Sequence, residues 1–478
     1  MNSAPAPRFA LTLQCLVLLN LCATATLAAQ EPAPPPPAPN SASALAPDAG
    51  ITAPADPDAP LPPAALDADE DVPLEWDVGP VSAAGRRMLD RVRGSVVRLR
   101  GFYGSNRAEA FHGTAFAVAP RGLLLTNYHV IARAALAPQI YRLAYDTDDG
   151  AAGTVSIVAV DLAHDLALIR AESLAPPPLQ LRVASPDQGD RVYTVGYPLN
   201  LGLVITEGIG NGRLANEFSP RLLYSGPINP GMSGGPALDS RGRVIGINVS
   251  FSTRGQLVSF LVPAAFVAPL LERAAAPAAP GSMRDEVARQ LRGHQAVVLG
   301  ALPAVFPTQT AAGYALPTEL APFVDCTAVA GQPPVRGLLL QSVACRATAG
   351  LSVEPGLLMG DFQFSHAVLV ADGLQPLQFA EQLRRAAAVA SVRSGSPQHV
   401  NAYACRNSTV NLNRFQGVVT LCARRYRLYE GLYDITLVVT SLNEPQRGFV
   451  STATLRGVDF TAGMEFTRRY LKAMRWTR

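Results

Sequence analysis

A histidine, an aspartate and a serine lie far apart in this chain, each in a setting that suits chemistry. His129 closes the apolar run L-L-L-T-N-Y-H-V-I, Asp165 precedes a second one in A-H-D-L-A-L-I-R, and Ser233 sits in N-P-G-M-S-G-G-P at 229 to 236. A serine hydroxyl is a poor nucleophile on its own. A histidine must take its proton and later return it to a leaving group, and a carboxylate must orient that histidine and stabilise its cation. Those are the parts of acyl transfer. Taken singly each has a plainer reading: a serine between glycines is a turn, a histidine after an apolar strand is structural, and an aspartate ends a turn. The order His, Asp, Ser, with each polar residue at the edge of an apolar strand, is what favours the chemical reading.

Gly231-x-Ser233-x-Gly235 fits two unrelated folds. A strand–turn–helix elbow requires a helix directly after the serine. Here G-G-P-A-L-D-S-R-G-R-V-I-G-I-N-V follows, with two glycines and a proline at the start and a hairpin pattern beyond. The elbow reading fails on local physics. The surrounding region, 85 to 273, is rich in short strands such as V-V-R-L-R-G-F, T-A-F-A-V, V-Y-T-V-G-Y and V-I-G-I-N-V, separated by turns holding Pro, Gly, Asn and Asp. That spacing predicts an all-β barrel or sandwich.

The rest of the 478 residues gives further regions. Residues 1–29 read as an export signal: Arg8, an apolar run, then small residues with a cut after Ala29. The run is short for a spanning helix, so no stable membrane span is expected once it is removed. Residues 30–84 are a Pro/Ala/Asp-rich tether. A-A-A-P-A-A-P-G at 274–281 reads as a linker, and 282–478 as an α+β region with helices at 377–389 and 465–474. Four cysteines remain after the signal, Cys326, Cys345, Cys405 and Cys422. Their even number in an exported chain favours two disulfides, and the lack of C-x-x-C argues against zinc. A two-residue turn at Asn413-Arg414 would set Cys405 opposite Cys422. His112, His294, His366 and His399 show no metal-ligand spacing, and His164 reads as a surface neighbour of Asp165 pointing to the opposite face. A net charge of +3 does not favour nucleic acid as a partner.

From about 90 to 272 the sequence resembles the trypsin-like serine proteases, most closely their HtrA/Deg branch. T-N-Y-H-V, D-L-A-L-I, I-N-P-G-M-S-G-G-P, G-R-V-I-G-I-N, V-G-Y-P-L-N-L-G and F-L-V-P carry the match. The resemblance implies a double six-stranded β-barrel, a His129–Asp165–Ser233 triad, and an oxyanion hole made by the amides of Gly231 and Ser233. It also implies that Ile228 and the strand Ile247-Asn248-Val249 line the specificity pocket, suiting a small or aliphatic side chain. Position 232 departs from the pattern: the branch usually has Asn, digestive relatives have an Asp that pairs with a cut N-terminus, and Met232 can make no such ion pair. A PDZ domain usually follows in this branch. Residues 336–361 faintly resemble one, without its carboxylate-binding loop.

The chain is therefore expected to be multidomain: an all-β trypsin-like protease domain followed by an α+β accessory domain. The expected function is that of an exported serine endopeptidase, periplasmic or extracellular, acting on polypeptides without metal or cofactor. Residues 282–478 are expected to serve substrate capture, homo-oligomerisation or a protein partner. The alternative is a catalytically silent peptide-binding or chaperone-like protein whose C-terminal region binds the partner.

Overall fold

The computed structural model of the chain describes residues 83–251, 256–276, 281–328, 336–389 and 396–477. The expected export signal, the Pro/Ala-rich segment through residue 82, and residues 277–280 of the expected linker lie outside them.

After helix α1 (Ala83–Val92), seven short strands form the first sheet: β1 (Val96–Tyr103), β2 (Glu109–Ala119), β3 (Leu123–Asn127), β4 (Tyr141–Asp146), β5 (Ala152–Thr154), β6 (Ser156–Asp161) and β7 (Leu166–Arg170), with helix α2 (Tyr128–Leu136) after β3. Their order is β5-β4-β1-β2-β3-β7-β6. This is a curled half-barrel and not the closed six-stranded barrel expected. The reason lies at Val155. Edge strands β5 and β6 are two halves of one bent strand separated by that residue, one half pairing with β4 and the other with β7. The edges meet through the chain instead of through a ladder.

The next six strands do close: β8 (Arg191–Gly196), β9 (Val204–Arg213), β10 (Leu222–Ser225), β11 (Pro236–Leu238), β12 (Val244–Phe251) and β13 (Ser259–Pro263). Val192, Leu222, Tyr224, Ile228, Met232, Ile245 and Leu261 form one of its buried clusters. No helix follows Ser233; β11 comes next and pairs antiparallel with β12. Helix α3 (Val267–Ala275) follows β13.

The C-terminal region starts at α4 (Met283–Gly300), opened by a reciprocal capping box between Ser282 and Asp285. Strands β14 (Thr308–Ala311) and β15 (Tyr314–Pro317) form a small sheet with the short strand Arg475–Trp476. A larger antiparallel sheet follows, built from β16 (Val324–Ala328), β17 (Leu338–Ala347), β20 (Phe362–Ala371), β21 (Ala404–Leu412), β22 (Phe415–Arg425), β23 (Leu432–Ser441) and β24 (Arg447–Asp459). Its order is β16-β17-β20-β24-β23-β22-β21. The hairpin β18 (Leu351–Glu354)–β19 (Leu357–Met359) leaves it between β17 and β20. Helix α6 (Phe460–Ala473) packs on one face through Phe466 and Tyr470. Helix α5 (Pro376–Val389) packs on the other through Phe379 and Leu383. Cys326–Cys345 and Cys405–Cys422 are cross-strand disulfides, and the turn at Asn413-Arg414 holds Arg414 at φ 68°.

One hydrophobic cluster runs from the first sheet into the C-terminal region. Ile131, Ala134 and Ala135 of α2 share it with Leu291 of α4, Val353 and Met359 of the β18–β19 hairpin, and Tyr429.

Candidate active site

His129 lies in the first turn of α2, immediately after β3. Its backbone N–H donates to Asp165 Oδ1 at 2.8 Å, and its ring Nδ1 meets Oδ2 at 2.6 Å. The carboxylate can only accept, so Nδ1 carries the hydrogen and Nε2 is left as the acceptor. Asp165 occupies the β6–β7 turn at φ 56°, a region that aspartate tolerates better than most residues. Its carbonyl accepts from Tyr128 N at 3.1 Å and Asn127 Nδ2 at 2.8 Å. Four hydrogen bonds thus tie the turn to the start of α2.

Burial favours the neutral His129 ring, but the charge of Asp165 and its hydrogen bond outweigh that and hold the ring's pKa above its ordinary 6.5, with Arg221 opposing.

Ser233 lies in the loop between β10 and β11. Its carbonyl accepts from Thr114 N at 2.9 Å, and its Oγ donates to Val249 O at 3.3 Å. Among the described residues no hydrogen bond joins it to His129. The approach to the serine is held at three points. Gly231 has φ 98°, and a Cβ there would strike Tyr197 O and lie 2.6 Å from His112 Nε2, so only glycine fits. Its carbonyl accepts from Thr114 Oγ1 at 2.7 Å, and that hydroxyl accepts from Tyr197 N at 3.0 Å. The Pro230 carbonyl accepts from Leu199 N at 3.1 Å. In a trans peptide the N–H points opposite the C=O, so the Gly231 N–H faces away from Leu199. Among the described residues neither it nor the Ser233 N–H meets another backbone carbonyl.

Met232 is fully buried inside the closed barrel. Its side chain anchors the loop by apolar contact where an ion pair is absent.

The residues expected to line the pocket take different places. Ile228 and Ile247 are buried in the barrel core, and Asn248 donates from Nδ2 to Val195 O at 3.1 Å and Met232 O at 3.3 Å. Val249 reaches Ser233 through its carbonyl.

His164 is not a bystander. It sits in a turn, where strand alternation does not apply. Its Nδ1 meets Asp161 Oδ2 at 3.0 Å, and its ring stacks on Phe266 at 3.7 Å between centroids. Reading the sequence also missed Thr114, His112 and Leu199. A single threonine or histidine within a strand carries no local pattern that points to a loop more than a hundred residues away. His112 Nδ1 meets Glu109 Oε1 at 2.8 Å, and Glu109 is also bound by Arg98 and Arg100.

Residues 113–247 match the family model described as a trypsin-like peptidase domain. This chain carries such a domain. Over a segment, it is similar to HtrA and DegP proteins. It is 30% identical over 190 residues to Serine protease HTRA1 of Xenopus tropicalis, covering 37% of this chain and 40% of that one. It is 32% identical over 150 residues to a probable periplasmic serine endoprotease DegP-like of Chlamydia trachomatis, covering 30% and 29%. The chain thus spans about two-fifths or less of the length of these relatives. The solved active form of the Rv3671c protease of M. tuberculosis aligns at 23% identity and a TM-score of 0.35, covering 41% of this chain and 86% of that one.

Proposed function

We propose that the chain is an exported serine endopeptidase that hydrolyses peptide bonds in polypeptides, unfolded or damaged chains among them. Residues 85–273 form its protease domain and 282–478 an accessory domain. Ser233 attacks the scissile carbonyl, His129 Nε2 takes its proton and returns it to the leaving amine, and Asp165 holds the ring and stabilises its cation. The amides of Gly231 and Ser233 receive the oxyanion, where loss of one donor costs about 3 kcal/mol of transition-state stabilisation. A specificity pocket of Ile228, Ile247, Asn248 and Val249, suiting a small or aliphatic side chain, belongs to the same reading.

The observation that carries this reading is the doubly hydrogen-bonded His129–Asp165 pair inside the matched segment. The disulfides and the similarity to a probable periplasmic endoprotease support export to an oxidising compartment.

A second reading, a silent peptide-binding protein, is favoured by one contact: Ser233 Oγ is turned to Val249 O. At 3.3 Å that bond is long for a hydroxyl, so rotation toward His129 costs little. Fluorophosphonate labelling decides between the two. Labelling of the parent, lost in Ser233→Ala and His129→Ala, supports the peptidase; an unlabelled, folded parent supports the silent protein.

A further inference from the structure

On one face of the C-terminal sheet, α5 covers Leu338, Leu369, Val438 and Val450. At the other end the same face presents a cross-strand row of Asp325, Arg346, Gln363 and Thr454, with Ser365 opposite Thr452 in the next row. These side chains are exposed or half-buried and polar. They floor a cavity of about 790 Å³, walled on the opposite side by Glu217 and Arg221 of the loop between β9 and β10.

A second cavity of about 150 Å³ shares Glu217, Arg221 and Thr348 with the first and ends on Leu162 and Asp165. The two cavities are neighbours across those shared residues, and the larger one forms a groove along the open sheet. Its wall is fixed in place. Ser219 Oγ donates to Ala163 O at 3.2 Å, Phe218 N donates to Thr348 Oγ1 at 3.2 Å, and the Phe218 ring sits edge-on to His294 and Phe323. Charge is felt along its length: Arg221 acts on His129, while Arg221 and Asp325 act on Glu217, whose carboxyl burial pushes upward.

We propose that this groove binds an extended stretch of the polypeptide substrate, remote from the bond that is cut. The inference rests on the peptidase reading above. The chemistry of the lining points to the ligand. Hydroxyl and amide side chains both donate and accept, matching the alternating N–H and C=O groups of an extended backbone. Asp325 with Arg346, and Glu217 with Arg221, bring charges of both signs, so the groove does not select an anion. Ala344 and Leu358 add apolar surface among these polar groups, which the side chains of a polypeptide can use. Four strands at ~4.8 Å spacing give a floor roughly 14 Å wide, room for about four extended residues. Recognition of this kind is independent of side-chain sequence, as an enzyme for unfolded chains requires.

The test uses the full chain with Arg346→Glu, which reverses an exposed charge on the floor, and Ser365→Trp, which plugs that floor. On unfolded casein both variants should raise KM about tenfold, while fluorophosphonate labelling of Ser233, which involves no remote contact, keeps its parental rate. In a Ser233→Ala background, fluorescently labelled unfolded casein should bind each variant about tenfold more weakly by anisotropy. Casein binding equal to that of the parent in both variants, or no binding by the Ser233→Ala parent, overturns the groove. A chain that binds casein through the groove yet never labels would retain this inference and overturn the peptidase reading instead.

Discussion

Met232 holds the loop before Ser233 by burial. Truncation to alanine would leave a cavity in the barrel interior, and such changes cost about 2–5 kcal/mol. We expect Met232→Ala to lower the melting temperature and slow fluorophosphonate labelling together, because the side chain that anchors the barrel also sets the position of the Gly231 and Ser233 amides. Calorimetry and labelling kinetics on the same sample check this. His129 gives a second expectation. In the proposed mechanism it must be neutral to act as a base, and Asp165 holds its pKa above 6.5. The rate kcat/KM should therefore fall as pH drops through a value above 6.5, since the ring is then protonated. Asp165→Asn removes the charge that raises it. The limb should move to lower pH, and kcat should fall by about 10⁴, as when the matching aspartate is neutralised in a Ser-His-Asp enzyme. A pH profile from 5 to 9 reads both effects.

Strands and turns differ in how much of them can be read from sequence. His129, Asp165 and Ser233 stand out because each sits in a short local pattern at a strand edge. The Cys405–Cys422 hairpin is legible too, because a two-residue turn fixes its register. The bend at Val155, which leaves the first sheet a half-barrel, carries no such mark. Nor does the seven-stranded C-terminal sheet, in which β20 lies between β17 and the distant β24. Pairings between remote segments are set by the whole core and leave little trace in any one stretch. Within that sheet His366 is buried with Nε2–H donating to Pro317 O at 2.7 Å, and burial lowers its pKa to about 4. A depressed histidine contributes stability that is fully present above its unfolded pKa of 6.5 and is lost as pH falls toward about 4. The loss should reach about 3 kcal/mol near pH 4. Asp161, held down to about 2 by His164 and Arg273 against its burial, acts in a separate window below its ordinary 3.8. Urea melts at pH 7 and pH 4.5, on the parent and on His366→Gln, should show a steeper loss in the parent, because glutamine still donates to Pro317 but takes no proton.

The protease and C-terminal regions grip one another at the candidate site. Tyr128, next to His129, donates from its hydroxyl to Val353 O at 2.9 Å, and Arg284 Nη2 donates to Leu136 O at 2.7 Å. Gln290 accepts from Leu162 N at 2.7 Å and donates to Val160 O at 2.8 Å, just before the Asp165 turn. A chain ending at residue 281 would lose these bonds and expose the apolar side of α2. We expect it to aggregate on gel filtration and to fail to label, whereas loss of a freely tethered module would leave labelling intact.

The shared core also sets a timetable. A polypeptide is made from its N-terminus, and Ser233 leaves the ribosome well before Val353 and Tyr429, which pack around the helix bearing His129. The region holding the proposed triad is therefore completed by the half that follows it. On the peptidase reading, a newborn chain would hold His129, Asp165 and Ser233 long before the packing around α2 is complete.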